Sequence, residues 1–159
     1  MIVSVIGLGY IGLPTAALLA SRKIKVIGID IDESVVETIN KGMIHIVEPE
    51  LSTIVKESVE TGYFCASTIP VKADVFIISV PTPFTGHKVP DISYIESASR
   101  SISPVLEKGN LVILESTSPV GTTEKMLNIM EKERPDLNFP KPDSNNSSYD
   151  VSIAHCPER

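Results

Sequence analysis

A doubly wound α/β fold on a parallel sheet is what this sequence predicts, and three observations predict it. Short, continuously apolar, β-branched runs recur along the chain. Stretches with helical spacing of apolar residues separate them. A Gly-x-Gly-x-x-Gly turn stands between the first run and the first helical stretch. Runs that are apolar without alternation read as strands buried on both faces, and strand–helix alternation implies right-handed crossovers between parallel neighbours.

In chain order, Ile2–Ile6 predicts the first strand, and residues 11–20 the helix that follows the glycines. Residues 25–30 form a second run. Val35, Val36 and Ile39 mark a short helix, and Leu51, Ile54, Val55 and Val59 a longer one. Phe64–Ser67 is a weaker strand, and 75–79 a strong one. Ile95, Ala98, Ile102 and Val105 fall on one helix face. A strand is expected over 111–114, a helix around Met126, Ile129 and Met130, and a last strand at Val151–His155. Residues 134–149, with three prolines and a run of Ser and Asn, predict an exposed, mobile loop that supplies no core face.

At 159 residues the chain suits one domain over 1–159 and can bury a core without disulfides or a structural metal. Its net charge of −6, with no basic run, argues against nucleic acid or an anionic membrane as partner. No apolar run approaches the roughly 20 residues that span a bilayer, and the first residues lack a basic leader, so a cytoplasmic location is expected. Cys65 and Cys156 make neither a disulfide framework nor a zinc pattern; both read as small buried residues rather than nucleophiles. His45 and His87 stand in loops without partners, so no metal site is expected.

Gly7, Gly9 and Gly12 follow a strand and open a helix, and a second strand ends in Asp30, 18 residues beyond Gly12. That context is what a dinucleotide-binding Rossmann turn requires. Gly7 permits the tight turn, Gly9 lets the backbone approach a pyrophosphate, and Gly12 allows close helix–strand packing. The helix N-terminus offers its positive dipole end to the phosphates. Asp30 accepts hydrogen bonds from the ribose hydroxyls and repels a 2′-phosphate, which favours NAD over NADP. Asp32 reads as the N-cap of the next helix rather than as a second ribose ligand.

Two more strand ends carry hydroxyl-bearing turns, Pro81-Thr82-Pro83 and residues 115–123 (ESTSPVGTT). Both belong at the carboxyl edge of the sheet, facing the crevice. Each threonine there reads either as a site hydroxyl or as a helix cap, Thr122 being a good candidate cap. Glu158 and Arg159 follow the last strand to the same edge, where an acid and a guanidinium can polarise a water and hold an anion. A sequence ending just past such a strand is expected to be part of a longer chain.

Together, residues 7–14 (GLGYIGLP), 80–84 (VPTPF), 115–121 (ESTSPVG) and 156–159 (CPER) resemble the UDP-glucose/GDP-mannose dehydrogenases, in their N-terminal, NAD-binding domain. The stretches 20–22 and 44–51 narrow the match within that family. The resemblance implies oxidation of a UDP-sugar C6 alcohol to a carboxylate with two NAD, and a homodimer when the chain is complete. It implies NAD contacts by Tyr10, Ile11, Asp30, Thr82 and one or both of Thr117 and Thr123. Thr117 also stands among the catalytic positions. Glu158 is implied in the water or proton relay, and Arg159 in contact with the nucleotide sugar. The family's nucleophilic cysteine sits in a glycine-rich motif that these residues lack, so residues 1–159 alone are expected to be inactive. Within the resemblance the sugar stays open, UDP-glucose and UDP-N-acetylglucosamine being alternatives. Other readings are a β-hydroxyacid or 6-phosphogluconate type dehydrogenase, which leaves Cys-Pro-Glu-Arg unexplained, and a non-enzymatic NAD-sensing module.

Overall fold

The β-branched runs pair as a parallel sheet in a computed structural model that describes residues 1–84, 86, 89–140 and 148–157. The strands are β1 (Ile2–Ile6), β2 (Lys25–Ile29), β3 (Phe64–Ser67), β4 (Val75–Ile78), β5 (Asn110–Leu114) and β6 (Val151–His155). The helices are α1 (Gly12–Ser21), α2 (Glu33–Asn40), α3 (Pro49–Glu60), α4 (Ser93–Ile102) and α5 (Thr122–Glu133). Strand order is β3-β2-β1-β4-β5-β6, with Val5 of β1 opposite Gly28 of β2 and Ile77 of β4. The chain winds outward from β1 to β3, returns through residues 68–74 without a helix, and winds the other way from β4 to β6. The reversal lies between β1 and β4, where a doubly wound sheet places its ligand crevice.

Each winding covers one face. Helices α1, α2 and α3 pack on Val3, Val5, Val26 and Phe64, whereas α4 and α5 pack on Phe76, Ile78, Val112 and Leu114. This corrects the expectation that Cys65 is buried: it is exposed. Phe64 and Ala66 point to the face under α1–α3, so Cys65 points to the other face of an edge strand, where α4 and α5 do not reach. Cys156, just past β6, is exposed as well, against expectation. Its backbone N–H still extends the ladder to the Leu114 carbonyl.

Two further departures have local causes. Helix α4 ends at Ile102, and Val105 sits in a 3-10 turn (Ser103–Val105), because Pro104 has no N–H for the carbonyl one turn back. Beyond α5 the chain does supply core: Leu137 is 8% and Phe139 2% exposed, both in the cluster under α4 and α5. The Arg134 guanidinium pins the start of that segment, donating to the carbonyls of Ser103 and Leu106 and pairing with Asp136. Its far end is clipped where the Asn138 N–H donates to the Asp150 carboxylate. Residues 141–147 lie outside the described residues. Phe139→Ala should therefore cost about 3–5 kcal/mol in urea unfolding, as a large buried aromatic does; a cost below about 1 kcal/mol would return the segment to a surface loop.

Candidate functional site

The glycine turn is held by backbone geometry that side chains would break. Gly7 has φ +91°, and a Cβ there would meet the Ser79 carbonyl oxygen at 2.6 Å. A Cβ on Gly12 would lie 1.8 Å from the Gly7 carbonyl oxygen, so the close packing expected of Gly12 is against the loop itself. A Cβ on Gly9 would meet nothing within 4 Å, so that position faces open space. No side chain caps α1, whose N-cap is Ile11, which leaves the positive end of the helix facing the crevice. These features fit a pyrophosphate.

Asp30 closes the loop from the β2 side. One carboxylate oxygen accepts the Leu8 N–H at 2.9 Å and the other the Asp32 N–H at 3.0 Å. Each oxygen keeps a further lone pair for a ribose hydroxyl. Asp32 caps α2, as expected, accepting from the Ser34 N–H and hydroxyl. The Ser34 hydroxyl, followed by its N–H, holds the Asp32 carboxyl below its ordinary range. That contribution to the α2 cap is present above the usual carboxylate range and is lost as pH falls through the lowered value.

A cleft of about 560 Å³ runs from Gly7, Gly9 and Asp30 toward α4. Tyr10 and Ile11 line it, together with residues that the sequence reading missed, among them Thr68 after β3, and Tyr94, Ser97 and Ser101 on α4. The α4 trio was readable, since positions 94, 97 and 101 share one helix face. A smaller cavity of about 180 Å³ lies on the β4–β5 side, lined by Ile11, Ser79, Thr82, Glu115, Ser116 and Thr117. The Thr82 hydroxyl donates to the Thr117 carbonyl at 2.7 Å, which ties together the turns after β4 and β5. Glu115 accepts from the Ser79 hydroxyl at 2.7 Å and, more weakly, from Thr15 of α1 at 3.3 and 3.4 Å.

The remaining expected residues are not gathered there. Thr123 lies half-exposed at the start of α5 and lines neither cavity. Thr122 does not cap α5: the N-cap is Gly121, and the Thr122 hydroxyl donates to the Pro119 carbonyl. Its backbone already occupies the first helical turn, so its hydroxyl turns back to the loop. His87, Glu158 and Arg159 lie outside the described residues. Among the described residues there is no group of His, Cys, Asp and Glu that could hold a metal, and no helix long and apolar enough to cross a membrane.

Comparison with known proteins gives this arrangement relatives. The family model for the NAD-binding domain of the UDP-glucose/GDP-mannose dehydrogenase family matches residues 1–159. UDP-N-acetyl-D-mannosamine dehydrogenase of Escherichia coli (strain K12) is 61% identical over 157 residues, covering 99% of this chain and 37% of the relative. NDP-N-acetyl-D-galactosaminuronic acid dehydrogenase of Ralstonia nicotianae is 57% identical, with the same coverage. The solved UDP-D-ManNAc dehydrogenase of Pyrococcus horikoshii superposes with a TM-score of 0.88 at 41% identity, over 100% of this chain and 36% of that one. The chain thus spans little more than a third of the length of these relatives. The glycine turn, the strand-end carboxylate, the strand order and the match over every residue agree: the chain belongs to the UDP-glucose/GDP-mannose dehydrogenase family, as its NAD-binding domain.

Proposed function

We propose that residues 1–159 form the cofactor-binding unit of an enzyme that oxidises the C6 alcohol of UDP-N-acetyl-D-mannosamine to a carboxylate. The observation that carries the reading is the pairing of the Gly9–α1 cradle with the Asp30 carboxylate across one crevice. The names of the relatives at about 60% identity supply the sugar. NAD, when bound, supplies the acceptor for hydride.

The chain's own residues do the positioning. The N–H groups at the start of α1 hold the pyrophosphate, and Asp30 holds the adenosine ribose. The 2′-phosphate of NADP would confront that carboxylate. Prolines 81 and 83 stiffen the turn from which Thr82 reaches Thr117, so the smaller cavity keeps its shape. Thr117 borders that cavity and is assigned to the reacting end of the cofactor. Glu158 is assigned to the water or proton relay, and Arg159 to the sugar nucleotide. Completion of the substrate site by further chain, a homodimer, a cytoplasmic location and a role in surface-polysaccharide synthesis belong to the same reading.

The product of the whole reading frame should release two NADH for each UDP-N-acetylmannosamine consumed, because alcohol to acid removes four electrons. The same assay with UDP-glucose and GDP-mannose tests the sugar. A relative with 57% identity in this domain bears a different sugar in its name, so the comparison matters. A higher kcat/KM with either of the other nucleotide sugars would overturn the assignment.

A further inference from the structure

Glu115 has a place in the crevice that its role as a brace does not exhaust. It leaves β5 at the carboxyl edge of the sheet and is half-buried. It lines the smaller cavity with Ser79, Thr82 and Thr117, and its carboxylate is bonded to Ser79, a residue of the same lining. Its hydrogen bonds come from two neutral hydroxyls, those of Ser79 and Thr15. None of the ion pairs among the described residues involves it. A half-buried carboxylate without a counter-cation has lost part of its hydration and regained it only in part from hydroxyl dipoles.

The site has a direction. Asp30, at the end of β2, takes the adenosine side, and the α1 N-terminus at the switch point takes the pyrophosphate. The other nucleotide half must then run toward β4 and β5, to the cavity that Glu115 lines. That half is the one whose charge changes: the oxidised nicotinamide ring is a cation and the reduced ring is neutral. A fixed negative charge at that end interacts with one form and not with the other, and only such a difference shifts an equilibrium between ligands.

We propose that Glu115 sets the redox preference of the cofactor site, its carboxylate favouring cationic, oxidised nicotinamide over the neutral, reduced form. The inference rests on the proposed function, and it matters most there. A four-electron oxidation must exchange NADH for NAD halfway, with the half-oxidised sugar still held. A site that loosens its grip once the ring is neutral speeds that exchange without weakening the first binding event.

The test titrates NAD and NADH separately into the full chain and into Glu115→Gln, without sugar. NADH is read by its own fluorescence, and NAD by its displacement of NADH. Glu115→Gln should lower the ratio Kd(NADH)/Kd(NAD) about tenfold, chiefly through weaker NAD binding. Glu115→Asp keeps the charge one methylene farther back and should retain part of the preference, which preserves the test if the Gln variant does not fold. Equal weakening of both nucleotides would reduce Glu115 to a brace between α1 and β5 and overturn the proposal, as would an unchanged ratio in either variant. A parent protein that binds neither nucleotide would fail earlier, overturning the proposed function and this inference with it.

Discussion

Gly12→Ala is expected to weaken NAD binding by at least about 100-fold and to destabilise the fold as well. The new methyl would lie 1.8 Å from the Gly7 carbonyl oxygen, a distance no rotamer relieves because both partners are backbone. Either the turn or the start of α1 must move. The turn cannot move freely, since Gly7 already sits at φ +91° against the Ser79 carbonyl. Overpacking of this kind costs about 1–3 kcal/mol, and displacing the N–H groups of α1 removes the phosphate cradle on top of it. Gly9→Ala is the informative partner. Its methyl meets no protein atom within 4 Å, so urea stability should stay within about 0.5 kcal/mol of the parent. NAD affinity should nevertheless fall, because the methyl occupies the space through which the pyrophosphate approaches. Parent-like affinity in both variants would end the pyrophosphate assignment.

Asp30→Ala should act on two readouts at once. The parent is expected to bind NAD much more tightly than NADP, because a 2′-phosphate would face a fixed carboxylate. Removing the carboxylate deletes charge-assisted bonds worth about 1.5–3 kcal/mol each, so NAD should weaken about 100-fold while the gap to NADP narrows. The second readout is stability. The same carboxylate accepts the N–H groups of Leu8 and Asp32, and Leu8 is wholly buried. Leaving a buried donor unmet costs about 1–3 kcal/mol, so the melting temperature should drop too. Isothermal titration with both nucleotides, beside a melting curve, separates the effects. Equal affinity of the parent for NAD and NADP would sink the role of Asp30.

Much of this was written plainly in the chain. Five β-branched runs and the weaker Phe64–Ser67 became the six strands because, in a parallel sheet covered on both sides, burial leaves an unalternating apolar run. The glycine spacing and Asp30 were legible because backbone sterics leave few residue types able to fill those positions. What was hidden depended on neighbours distant in sequence. Cys65 is apolar in composition, yet which face of an edge strand is covered depends on where α4 and α5 lie. Leu137 and Phe139 were masked by the prolines around them; they reach the core because Arg134 grips carbonyls some 30 residues earlier. Tyr94, Ser97 and Ser101 escaped notice because the reading of α4 followed its apolar stripe and not the polar side that faces the cleft. Glu115 stood inside a recognised turn, but its pairing with Thr15 spans 100 positions, a relation no local pattern carries.

The two hydrophobic cores lie on opposite faces of the sheet and share no buried side chain. The sheet separates them, and its central strands serve both: Val3, Val5 and Val26 belong to one core, Ile6, Ile29 and Ile78 to the other. In the proposed binding mode a dinucleotide along the carboxyl edge would touch the β2 side at one end and the β4–β5 side at the other, adding a tie between the winding β1–β3 and the winding β4–β6. Parting the halves means releasing the ligand, so saturation at a hundred times Kd adds about 2.7 kcal/mol to the work of opening. On that reading the cofactor would contribute to the domain's mechanical unity as well as to its chemistry.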